Sequence, residues 1–108
     1  MDNKYIQGRS TLQSVTVGSN LYKLSNGNLI RIYSCCDDPE YEYGYDYFDG
    51  STKKLIDGGV FNYDAGSEQE VLEEALGWCD LDANKITWTL FQEDVEYDDL
   101  EDMGYSGF

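Results

Sequence analysis

The chain has 108 residues, 41% hydrophobic and 15% aromatic, enough for one domain and too rich in aromatics for wholesale disorder. It carries 22 acids, 7 bases and no histidine, a net charge of −15. Such a field repels nucleic acid and anionic membranes, so direct binding to either is not expected, and it attracts basic surfaces.

The charge is unevenly spread. Residues 1–36 carry a net +3, residues 37–54 a net −4, and residues 55–108 a net −14. No apolar run reaches the length of a membrane span, and the opening MDNKYIQGRSTLQ lacks the apolar core of a secretion signal. Three cysteines, Cys35, Cys36 and Cys79, are an odd number without the spacing of a disulfide framework, so reduced thiols are expected.

LQSVTV (12–17) alternates and is a candidate first strand. LYKL (21–24), SNGN (25–28) and LIRIYSC (29–35) then read as two β-rich runs around an Asn-Gly turn, a hairpin. Pro39 belongs before the next strand rather than inside it. In that strand, over 41–48, Tyr41, Tyr43, Tyr45 and Tyr47 share one face. Glu40, Glu42, Asp46 and Phe48 share the other. Asp49-Gly50 makes a turn into KKLI (53–56), and Asp57-Gly58-Gly59 a second turn into VFNY (60–63), which gives a meander.

The period then changes. Ser67 and Glu70 form a capping-box pattern and place a helix over 67–79. Val71, Leu72, Ala75, Leu76 and Cys79 fall on one face of that helix, with Trp78 at its margin; Glu70, Glu73 and Glu74 fall on the other. Glu68 and Glu70 suit the helix dipole. Glu73 and Glu74 have no base at four-residue spacing to pair with. ITWTLFQ (86–92) alternates as a last strand. EDVEYDDLEDMGYSGF (93–108), with seven acids in its first ten residues, reads as a mobile acidic tail. The expected architecture is α+β: one domain over 1–92, an antiparallel meander of four or five strands packed on one helix, followed by that tail.

Catalytic chemistry is not found. Without histidine the commonest general base is missing. No phosphate loop, dinucleotide fingerprint or G-x-S-x-G occurs. Two stretches imitate a calcium loop and fail by position. In DLDANKITWTLF (80–91) Lys85 and Phe91 stand where glycine and glutamate belong, and in DVEYDDLEDMGY (94–105) Asp99 and Tyr105 do so. Cys35, Cys36 and Cys79 with a carboxylate such as Asp37 are numerous enough for zinc, and zinc is kept as the minor alternative. However, they lack C-x-x-C spacing, and Cys35 and Cys36 as strand neighbours point to opposite faces. No cofactor is expected, and the chain is not read as an enzyme.

A small, acidic, histidine-free chain with a meander, one helix and tyrosines interleaved with acids resembles the phage-encoded DNA-mimic inhibitors. These include anti-CRISPR proteins, anti-restriction proteins and the uracil-DNA glycosylase inhibitor. The resemblance covers the chain in character and rests on no diagnostic motif. It implies an inhibitor acting in the cytoplasm of a bacterial host cell on a basic nucleic-acid-binding effector, with a type II CRISPR nuclease favoured. Acids on neighbouring strands approach the charge density of a duplex within a small factor. The candidate partner-binding residues are Glu40, Glu42, Asp46, Glu70, Glu73, Glu74, Asp94, Glu96, Asp98 and Asp99, forming one anionic face. The alternatives are inhibition by docking outside the DNA channel, or an interaction module of a mobile element whose acids serve solubility.

Overall fold

A computed structural model of the chain describes residues 15–35 and 42–108. Its elements in order are β1 (Asn20–Leu24), β2 (Leu29–Ser34), β3 (Glu42–Phe48), β4 (Leu55–Asn62), α1 (Glu68–Trp78), β5 (Trp88–Gln92) and α2 (Tyr97–Asp102). The five strands form one antiparallel sheet in the order β4-β3-β2-β1-β5. The α+β expectation holds, with a second short helix that the sequence pattern does not announce.

The Asn-Gly turn folds as expected. Gly27 takes φ +95°, which a side chain would resist; the Gly27 N–H donates to the Leu24 carbonyl, and the Asn26 side chain accepts from the Asn28 N–H. This fixes the register of the β1–β2 hairpin, with Tyr22 opposite Ile30. Residues 15–17 are not a strand, although the Val15 and Ser34 N–H groups donate to the Ala65 and Val17 carbonyls. Residues 12–14 of the expected first strand lie outside the described residues.

β3 explains most of the packing. Tyr43, Tyr45 and Tyr47 are 0%, 6% and 6% exposed and join Ile30, Ile32 and the α1 residues Val71, Leu72, Ala75 and Leu76 in the larger core. The tyrosine row therefore packs under α1, as a half-buried aromatic strand face should. Tyr41, Glu40 and Pro39 lie outside the described residues.

The opposite face of β3 is not left to solvent, and here the sequence-based reading is corrected. Phe48 is fully buried with Leu21, Leu29, Val95, Leu100 and Tyr105 in a second core. Asp46 is buried beside it. Residues 93–108 are thus an integral part of the domain. They cover the second sheet face through Val95, Leu100 and Tyr105, and the tail boundary expected at residue 92 does not exist as such. The physical reason is that three apolar residues spaced by five among the acids suffice to dock a loop, a two-turn helix and a turn onto a sheet.

A second correction concerns β4. The sequence pattern predicts strands at 53–56 and 60–63 around an Asp-Gly-Gly turn, but β4 runs from Leu55 to Asn62 straight through that turn. Asp57, Gly58 and Gly59 pair with Tyr47, Asp46 and Tyr45. Glycine here serves close approach rather than turning: a Cβ on Gly58 would lie 3.2 Å from the Tyr45 carbonyl oxygen and 3.3 Å from Asp46 Oδ1. The chain irregularity falls earlier, at a register shift between Tyr47 and Phe48.

α1 starts at the expected cap. Ser67 Oγ accepts from the Glu70 N–H, while the Glu70 carboxylate reaches one residue further back than in a standard capping box, to the Gly66 N–H at 2.9 Å.

Candidate interaction surface

The two cores place the acids. α1 and its glutamates lie over one sheet face, and the segment from Glu93 to Asp102 lies over the other. The candidate residues therefore do not form one anionic face. Glu70, exposed, and Glu73 and Glu74, half-buried, belong to the α1 side; Asp94, Glu96 and Asp98, exposed, and Asp99, half-buried, belong to the α2 side. Glu42 is half-buried near the entry of β3, opposite Asn62, and Glu40 lies outside the described residues.

Several of these acids have local work. Glu73 accepts from Gln69 Nε2 one turn earlier. Glu96 caps α2, and its own N–H is taken by Asp99 Oδ2 at 3.0 Å. Glu68 accepts from Asn20 Nδ2 and from the Tyr22 hydroxyl, joining the start of α1 to β1.

Asp46 is removed from any contact surface. It stands directly opposite Arg31 in the β2–β3 register. Arg31 Nε and Nη2 reach its Oδ2 at 3.0 and 2.9 Å. Arg31 Nη1 donates to Ser19 Oγ and to the Val95 carbonyl, and the guanidinium lies over both the Tyr33 and Tyr97 rings, 4.3 and 4.4 Å from their centroids. Burial pushes the Asp46 carboxyl above its ordinary range, and Arg31 offsets this only in part. Sequence spacing offered no sign of this node, because residues fifteen apart meet only once the register is known.

This is also the one ion pair made between two described residues. Lys53 is occupied differently, donating Nζ to the Met103 carbonyl at 2.8 Å and lying 5.4 Å from the Tyr105 ring. It contributes, with Lys23, Leu29, Phe91, Met103 and Tyr105, to an open groove of about 460 Å³ on the α2 side. Among the described residues no carboxylate lines that groove, and a second, lined by Arg31, Tyr33 and Tyr97, holds the single acid Glu96.

Among the described residues no three histidine, cysteine or acidic side chains converge as a metal site. Cys36 and Asp37 of the candidate zinc set lie outside those residues. Cys79 caps the end of α1, where burial, followed by Asp57 and Asp80, pushes its thiol up to about 12. A thiol so resistant to ionisation is a poor nucleophile. Tyr45, whose hydroxyl reaches Asp57 Oδ2 at 3.3 Å, is likewise pushed up to about 12, chiefly by burial.

Among the described residues no helix is long and apolar enough to cross a membrane. The chain matches no known protein family, no characterised protein and no solved structure.

Proposed function

We propose that the protein is a non-enzymatic inhibitor that binds a basic nucleic-acid-binding effector and blocks its engagement of DNA or guide RNA. A type II CRISPR nuclease is the first target to try. The observation that supports this most is the segment 93–102: Glu93, Asp94, Glu96, Asp98, Glu101 and Asp102 are all exposed on an ordered loop and helix with no base among them. Acids serving solubility alone would be expected to be interspersed with bases. Here they are concentrated on a short docked element, a surface suited to a cationic channel. Because the α1 acids lie on the other sheet face, a single flat contact takes one set or the other. The α2 set is the one proposed.

The test is capture of CRISPR effectors by the immobilised protein, followed by competition. Binding is expected to weaken steeply with salt and to be displaced by duplex DNA. Asp98→Lys with Glu101→Lys, both exposed on α2, is expected to abolish it, and Glu73→Lys with Glu74→Lys to spare it. The reverse pattern moves the contact to α1. Binding that persists at high salt and alongside DNA replaces channel blocking by docking elsewhere. No capture at all supports the reading of an interaction module whose acids serve solubility.

A further inference from the structure

β4 is an edge strand, and past the register shift at Ile56 no described residue pairs with its outer side. From Asp57 to Asn62 it pairs with β3 in unbroken register, so its far side presents six residues of regular strand. Ile56 and Val60 are 53% and 56% exposed, Gly58 and Gly59 are exposed, and the strand contains no lysine and no proline. Unguarded edges of this kind template a further strand. The chain itself begins one: Ser106 makes a parallel bridge with Lys54, the Leu55 N–H donates to the Ser106 carbonyl, and the Ser106 N–H donates to the Lys53 carbonyl. Beyond Leu55 no described residue continues it.

The other edge, β5, is a weaker candidate. It is five residues long, and its pairing with β1 is interrupted by a register shift at Leu21/Tyr22.

The surroundings of β4 select the occupant. On the α1 side, Asp57 and Asp80 both act on Tyr45 and Cys79, and Trp78, 54% exposed, stacks on Phe61 at 6.3 Å. Carboxylates beside an exposed indole hold lysine or arginine. On the other side of the strand, Val60 presents an aliphatic surface. An added strand alternates its side chains between these two sides. We propose that the edge of β4 from Asp57 to Asn62 binds an extended segment of a partner protein as a sixth strand. That segment carries lysine or arginine at alternate positions toward Trp78 and aliphatic residues toward Val60. A second copy of the chain would bring its own Asp57 and a net −15 to the same edge, which disfavours self-pairing. The inference rests on the reading above that the partner is basic.

The experiment titrates isotope-labelled protein with an eight-residue peptide alternating lysine and valine, followed by amide shifts and hydrogen exchange. Shifts and added protection are expected at residues 57–62. A glutamate–valine peptide, and a lysine–valine peptide interrupted by one proline, are each expected to bind at least about tenfold more weakly, the first for charge and the second for its lost ladder bond. Val60→Lys is expected to weaken binding comparably while leaving the remaining amide shifts in place. Shifts confined to α1 or to residues 93–102 overturn the proposal, as does equal binding of the proline peptide. Shifts at β4 that grow with protein concentration, without peptide, overturn it in favour of a second copy. Peptide bound at β4 with no effector captured refutes the functional reading and leaves the edge site standing; an effector captured with β4 silent does the opposite.

Discussion

Arg31 and Asp46 face each other across β2 and β3, both buried, with two guanidinium nitrogens on one carboxylate oxygen. The pair lies under the C-terminal segment, since Arg31 also holds the Val95 carbonyl and stacks against Tyr97. It is a clasp between the sheet and residues 93–108.

Removing one member leaves the other charge buried without its partner. Arg31→Met is expected to lower stability by about 3–5 kcal/mol, whereas Arg31→Met combined with Asp46→Leu recovers most of the loss. Denaturant midpoints of the two single variants and the double variant form the cycle. If the double variant is as unstable as Arg31→Met alone, the clasp matters for its contacts to Ser19, Val95 and Tyr97 rather than for charge compensation.

The C-terminal segment can be tested by itself. Leu100 is fully buried against Leu21, Leu29 and Phe48, so Leu100→Ala is expected to cost about 2–5 kcal/mol through lost burial and a residual cavity. Deleting residues 93–108 exposes Phe48 and leaves Arg31 without its carbonyl and Tyr97 partners. The truncated chain is therefore expected to lose cooperative unfolding. Circular dichroism during a denaturant titration measures both. A truncated chain with an unchanged midpoint would return the segment to the status of a tail.

Gly44 and Tyr33 make a size-complementary pair in register across β2 and β3. A Cβ at Gly44 would fall 2.2 Å from Tyr33 Cζ, and the Tyr33 ring has little room to retreat because Arg31 stacks on it. Gly44→Ala is expected to cost about 1–3 kcal/mol by overpacking. Adding Tyr33→Ala should remove the clash penalty, so the two changes are non-additive. Thermal unfolding of both singles and the double reads this directly.

How much of this was legible in the sequence depends on range. The hairpin at Asn26-Gly27, the cap at Ser67, the apolar face of α1 and the burial of Tyr43, Tyr45 and Tyr47 follow from local chemistry, and the structure shows each. The Asp57-Gly58-Gly59 stretch reads locally as a turn. It becomes strand interior because Asp46 and the Tyr45 backbone pass close by, a non-local fact. The docked C-terminal segment was obscured for a related reason: acids dominate its composition, while its packing depends on only three buried residues. The single anionic face failed because strand parity places residues on a side only after what covers each side is known. Strand parity puts Asp46 opposite the tyrosines, as the structure has it, but that side is covered by a second core.

Alkaline pH gives the last prediction. Cys79 is raised from an ordinary 9.0 to about 12 and Tyr45 from 10.0 to about 12, both chiefly by burial. In each case the folded state holds its proton more tightly than the unfolded chain does. Their contribution to stability is therefore complete below about pH 9 and is lost as pH rises from there toward 12. The denaturant midpoint is expected to be flat from pH 7 to about 9 with respect to these groups and then to fall. In Cys79→Ala the decline should be shallower and should begin about one pH unit higher, where tyrosine ionisation takes over. Alkylation of Cys79 by iodoacetamide in the folded protein supplies an independent reading, because the thiolate is the reacting species. Its rate should keep climbing beyond pH 10, where that of an unfolded control has levelled off. A rate that saturates near pH 9 would mean that Asp57, Asp80 and the end of α1 leave this thiol as accessible and as acidic as any other.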